Sequence, residues 1–271
     1  MASYKIALIQ MTVTPDKDEN METAARLVHE AAAGGAKIVC LPEIWNCPYE
    51  VKLFAGYAEP ADGPAVELMS DLARQNEVFL VGGTIPEISG EKTPDGAAKV
   101  YNTSFVFDPS GAPLAKHRKS HLFDIAIEGG LHFRESDFFA VGGQPDGTLF
   151  ETDFGTVGLA VCFDVRFPEM FRKMTEGGAH LIFLPAAFNM TTGPAHWEIL
   201  AKSRALDNQV FFAACAPARN TKTRFIAYGH SCVVTPWGEY CAAADSRETV
   251  LYATIDKGYM EKVRAELPIG H

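Results

Sequence analysis

The chain has 271 residues, 47% hydrophobic and 21% charged, with a formal net charge of -10. That hydrophobic share can fill a sizeable core, and the acidic balance argues against non-specific binding to nucleic acid. No apolar run nears the ~18 residues of a bilayer span, and the opening MASYKIALIQM lacks the design of a cleavable leader, so a cytoplasmic protein is expected.

In chain order, 4-YKIALIQM-11 reads as a strand, and Asn20 is expected to cap a helix over 21–35 that ends on Gly34-Gly35. A strand at 37–43, a helix at 65–77 and strands at 78–85 and 101–108 follow, with 86–99 read as an exposed hairpin loop. The second half repeats the order. It has strands at 156–163 and 180–186 around a helix at 168–178 that opens on Pro168, then a helix at 196–209 and strands at 210–217, 230–236 and 249–256. The strands are near-continuous apolar runs, which implies sheets covered on both faces. The predicted fold is therefore α/β, a four-layer α-β-β-α sandwich. Two mixed sheets pack together with helices on both outer faces, and the two halves are pseudo-symmetric. No Pro- or Ser-rich linker divides the chain, so residues 1–271 are read as one domain.

Six cysteines occur, at 40, 47, 162, 215, 232 and 241, with no CxxC pair and no zinc-ligand spacing. Free thiols in a reducing compartment, and no metal, are expected. Cys40, Cys215, Cys232 and Cys241 read as core filler.

Three polar residues stand at strand ends, where a rigid scaffold displays chemistry. Glu43 follows 38-IVCLP-42, Lys119 lies in 116-KHRKSHLFD-124, and Cys162 follows 157-VGLAV-161. Each has a bland alternative: a glutamate turned to water, a solvated basic cluster, a buried thiol. Together they form a working set. A carboxylate can take the thiol proton and return it to a leaving group, and an ammonium can hold the oxyanion of a tetrahedral intermediate. That is acyl transfer from an amide through a thioester.

LPE at 41–43, RKSHLFD at 118–124 and GLAVCFDVRFPE at 158–169 resemble the three signature segments of the nitrilase superfamily of carbon–nitrogen hydrolases. The segments NCPYEVKLFAGYAE at 46–59, TTGPAHWE at 191–198 and YGHSCVVTPWGE at 228–239 are similar to its omega-amidase branch. The resemblance implies hydrolysis of the terminal amide of short dicarboxylic monoamides such as 2-oxoglutaramate, without cofactor, by a homodimer. It implies Glu43 as general base, Lys119 at the oxyanion and Cys162 as nucleophile. It adds Glu135, in 133-FRES-136, as partner of Lys119. It also implies the Phe163 N–H at the oxyanion, with Ala187 and Phe188 lining the acyl pocket. Tyr49, Arg166, Thr191 and Thr192 are candidates for a substrate carboxylate, Arg166 being read first as a structural arginine.

Rival readings are a Cys–His pair with His121 or His196 as base, a deaminated-glutathione amidase or N-carbamoyl amide hydrolase of the same superfamily, and a non-catalytic member that binds a partner protein.

Overall fold

The computed structural model describes residues 3–128 and 132–269. In chain order the elements begin with β1 (Tyr4–Gln10), α1 (Lys17–Ala33), β2 (Ile38–Cys40), α2 (Phe54–Tyr57), α3 (Pro64–Asn76), β3 (Phe79–Val81), β4 (Ile85–Lys92), β5 (Ala98–Phe107) and β6 (Pro113–Arg118). A small hairpin follows, β7 (Asp124–Ala126) and β8 (His132–Arg134). The second half runs β9 (Thr148–Thr152), β10 (Gly155–Leu159), α4 (Pro168–Glu176), β11 (Leu181–Pro185), α5 (Gly193–Asn208), β12 (Phe211–Cys215), β13 (Cys232–Val234) and β14 (Tyr240–Ala243). The chain then returns through β15 (Thr249–Ile255) to α6 (Lys257–Glu266).

Two mixed sheets result. One has the order β15-β1-β2-β3-β5-β4, with β6 beside β5; the other is β14-β13-β12-β11-β10-β9. In the first, β1, β2 and β3 are parallel, flanked by antiparallel β15 and β5. In the second, β10, β11 and β12 are parallel, flanked by antiparallel β9 and β13. The repeat expected from the sequence is thus a repeat of topology.

The alternation within β1 shows why both faces are apolar. Ile6 and Leu8 enter the layer between the sheets, beside Leu159, Leu181 and Phe183 of the second sheet. Ala7 and Ile9 face the other way, into the cluster formed with Leu27 and Val28 of α1 and Met69 and Leu72 of α3. On the far side, Ile182 and Phe212 meet Phe171 of α4 and Trp197 of α5. Helix, sheet, sheet, helix: this is the four-layer sandwich.

Several local expectations are corrected. The cap of α1 is Asp16, which accepts from the Asp18 and Glu19 amides. Asn20 is buried inside the helix and pairs both ways with the Thr14 backbone. The stretch read as a loop over 86–99 is mostly strand, because β4 pairs with β5 and only a turn joins them. Cys241 is exposed on edge strand β14, because the apolar face there points to solvent. All six cysteines are free thiols.

Candidate active site

The parallel strands of the two sheets end toward the same corner, as crevices in open α/β sheets do. Glu43 leaves β2 through Leu41-Pro42. Cys162 leaves β10 through Ala160-Val161 and opens a short 3-10 turn, Cys162–Arg166. Both exits are sharp. Ile44 sits at φ 48° and Cys162 at φ 45°, left-handed positions unfavourable to side chains with a Cβ and characteristic of built sites. The Thr84 hydroxyl accepts the Ile44 amide at 2.8 Å and holds the first turn.

Lys119 follows β6. Its amide donates to the Asn102 carbonyl at 2.9 Å, and its carbonyl accepts from Gly142 at 2.9 Å. A Cβ on Gly142 would lie 1.9 Å from the Arg118 carbonyl, so only glycine allows this approach. Glu135 starts the turn Glu135–Asp137 after β8.

The four side chains meet out of water. Glu43 and Lys119 are 1% exposed, Glu135 0% and Cys162 4%. Lys119 Nζ lies 2.9 Å from Glu43 Oε1 and 2.9 Å from Glu135 Oε2. Asn102 Nδ2 donates to Glu43 Oε1 at 2.9 Å, and the Ala187 amide to Glu43 Oε2 at 2.8 Å. The Phe123 amide donates to Glu135 Oε2 at 2.6 Å. The Tyr49 hydroxyl makes a short hydrogen bond to Glu135 and a 3.2 Å one to Glu43.

Burial opposes the Lys119 charge, yet the Glu135 and Glu43 carboxylates outweigh it and hold the ammonium well above its ordinary range. Burial likewise pushes the Cys162 thiol far up, reinforced by the Glu43 charge and opposed by Lys119. The Glu43 carboxylate, the Lys119 ammonium and the Glu135 carboxylate all act on the thiol electrostatically. The resting sulfur therefore keeps its proton, with a carboxylate positioned to take it.

Behind the cluster lies a second network that sequence reasoning missed. The buried Asp164 carboxylate accepts from the Val161 amide at 3.0 Å and the His121 amide at 2.9 Å. His117 Nε2 lies 3.2 Å from Oδ2 and His121 Nδ1 2.8 Å from Oδ1. The two histidines stand two residues before and two after Lys119, so Asp164 ties the Lys119 segment to the Cys162 turn. Burial alone would raise the Asp164 carboxyl, but the hydrogen bonds from His117 and His121 outweigh it and lower it to about 2. Its stabilising contribution is complete above the ordinary value of 3.8 and is lost as pH falls toward 2. Asp164→Asn, which turns an amide donor toward donors, is expected to flatten the stability-versus-pH curve below pH 4 and lower kcat about a hundredfold. Acid titration followed by circular dichroism, with kinetics at neutral pH, checks both.

A small cavity is lined by Cys162, Phe123, Phe163, Arg166, Ala187, Phe188 and Thr192. Phe163, Ala187 and Phe188 thus line the cavity at Cys162. Thr191 does not: it is exposed, its amide turned onto Asn189 Oδ1, because α5 begins just after it and directs Thr192 inward. Tyr49 lies within the carboxylate cluster. His121 is engaged by Asp164 and stacked on Phe167, and His196 faces Arg166 across 3.1 Å. Neither occupies the position of a base to Cys162. Arg166, read as structural, has its Nε buried without a hydrogen-bond partner among the described residues. No cluster of metal ligands occurs among the described residues.

A buried carboxylate–ammonium–thiol set at the strand ends of a paired α/β sandwich is the arrangement of a carbon–nitrogen hydrolase. The carbon-nitrogen hydrolase family model matches residues 5–265, and the chain belongs to that family. It is similar to omega-amidase NIT2 of Xenopus tropicalis, 45% identical over 99% of this chain and 94% of the relative. Omega-amidase NIT2 of Homo sapiens is 43% identical over the same shares. Among solved structures, Saccharomyces cerevisiae Nit3, a member of branch 10 of the nitrilase superfamily, superposes with a TM-score of 0.89 at 38% identity, covering 99% of this chain and 96% of that one.

Proposed function

We propose that the protein is an omega-amidase, hydrolysing the terminal amide of short dicarboxylic monoamides such as 2-oxoglutaramate and 2-oxosuccinamate. The observation that carries this is the juxtaposition of the buried Cys162 thiol with Lys119, locked between Glu43 and Glu135. In this reading Glu43 takes the Cys162 proton as the sulfur adds to the amide carbon. Lys119 and the Phe163 N–H hold the oxyanion. Glu43 returns the proton to nitrogen, the C–N bond breaks, and ammonia leaves a thioester. Water, deprotonated by Glu43, then releases the acid. Glu135 fixes Lys119 in place and charge. The assembly is a homodimer, in a reducing cytoplasm, and no cofactor takes part.

The cavity at Cys162 supports this substrate class. Burial lowers the Arg166 guanidinium from its usual range, and its Nε has no hydrogen-bond partner among the described residues, in a cavity whose lining also includes Thr192. A cation with an unpaired donor in the same cavity as the nucleophile suits the distal carboxylate of such an acid. Similarity to the two omega-amidases supports the same choice.

Ammonia release from 2-oxoglutaramate, succinamate, glutamine, a carbamoyl amine and a nitrile tests the reading. Turnover of the monoamides is expected, and preference for the carbamoyl amine would overturn it. Arg166→Gln is expected to raise KM for succinamate about ten- to a hundredfold, with a neutral amide such as butyramide little affected.

A further inference from the structure

Glu43 stands in the wall of a second, small cavity that does not include Cys162. The two cavities share Ala187, whose amide holds Glu43 Oε2 at 2.8 Å. Ala187 is therefore the common wall, with Glu43 bonded to its amide on the second cavity's side. On one side lie the sulfur, Arg166 and Thr192; on the other is a chamber of different chemistry.

That chamber is largely apolar, with Val13, Pro217, Ala218 and Phe225 in its walls. The Tyr49 hydroxyl is spent on Glu135 and Glu43, and the remaining uncharged side-chain polar groups are spent on the backbone. Asn220 Nδ2 donates to the Val13 carbonyl at 2.9 Å, and the Thr223 hydroxyl faces the Phe225 carbonyl at 2.9 Å. Burial pushes the Cys47 thiol up, so it stays neutral. Among the described lining residues Glu43 alone carries charge. The cations Lys52, Arg134 and Arg224 belong to a separate groove, beyond the stacked rings of Tyr49 and Phe225, which lie 4.8 Å apart.

The group that returns a proton to the departing nitrogen must face that nitrogen. We propose that the second cavity is the amine-side subsite: it receives the substituent on the scissile nitrogen, admits a short uncharged alkyl group, and refuses a carboxylate. This rests on the hydrolase reading above and adds a direction to it, acid end toward Arg166 and amine end toward Ala218. The chemistry balances as for the primary amide. The sulfur–carbon bond forms, the carbon–nitrogen bond breaks, Glu43 protonates the nitrogen, and a primary amine leaves in place of ammonia; water then cleaves the thioester. A leaving group that ends in a carboxylate would meet the Glu43 charge and no cation in the chamber.

The test compares kcat/KM for succinamate, N-methylsuccinamate, N-propylsuccinamate and N-carboxymethylsuccinamate in the wild type and two variants. N-methylsuccinamate is expected within about tenfold of succinamate, and the N-carboxymethyl amide more than about a hundredfold below it. Ala218→Leu fills the chamber, so the N-propyl-to-succinamate ratio falls about tenfold or more; Val13→Ala enlarges it, so the ratio rises. Opposite signs separate a subsite from mere loss of fold. A ratio unmoved in both variants, or efficient cleavage of the N-carboxymethyl amide, overturns the proposal. Absence of turnover on succinamate by the wild type removes the hydrolase reading and the subsite together; turnover without selectivity removes the subsite alone.

Discussion

Cys162→Ala is expected to leave a folded protein that releases ammonia at least about 10⁴-fold more slowly. Alanine keeps the backbone position, and the buried carboxylate–ammonium cluster is untouched. Only the atom that would form the thioester is gone. Glu43→Gln is expected to fall nearly as far, because the Cys162 thiol, kept protonated by burial and by the Glu43 charge, loses its proton acceptor. The double variant should be little worse than either single one, since parts that act as a unit are not additive. Rapid-quench measurement of ammonia against a monoamide checks this. Glu43→Gln activity near wild type would return the base to His121 or His196.

The second large effect is on stability. Lys119 is fully buried between two carboxylates, so Lys119→Ala leaves Glu43 and Glu135 facing each other without a countercharge. Removing one partner of such a cluster costs about 3–5 kcal/mol. A clear drop in the urea midpoint is expected, together with loss of activity. The destabilisation should shrink when Glu135→Gln is added, because one buried charge is then removed. A Lys119→Ala protein as stable as the wild type would mean that the ammonium is not the counterion of the cluster.

The sequence made the inner strands legible because their two faces are buried and their residues are apolar throughout. It hid the edges. β6, PLAKHR, reads as a basic loop because its Lys116 and Arg118 both pair with the Glu87 carboxylate, while His117 is buried on a partner far off in the chain, Asp164. Helix α6 buries only Met260 and Val263 along its described length, too weak a stripe to find by periodicity. The cap at Asp16 was readable, since Asp16 followed three residues later by Glu19 is a capping-box pattern. Glu43 and Cys162 stand out as polar residues at the ends of apolar runs, and Lys119 is singled out within the basic segment 116-KHRKSHLFD-124. Glu135 does not stand out, because its burial depends on a hairpin from which no apolar pattern emerges. Asn102 and Asp164 carried one faint mark, a polar residue where its neighbours are buried, but their partners lie far off in the chain. Choosing Thr192 over Thr191 depends on where α5 begins, three residues before the sequence placed it.

The pseudo-repeat has a consequence for how the chemistry tolerates change. Glu43 is anchored to the first sheet and Cys162 to the second, so the proton-transfer distance is set by the apolar layer between them. Slippage of one sheet across the other by a fraction of an ångström would lengthen that path while leaving every helix and strand intact. Activity should therefore report on the registry of Leu8, Leu159 and Phe183 sooner than any spectroscopic measure of folding does.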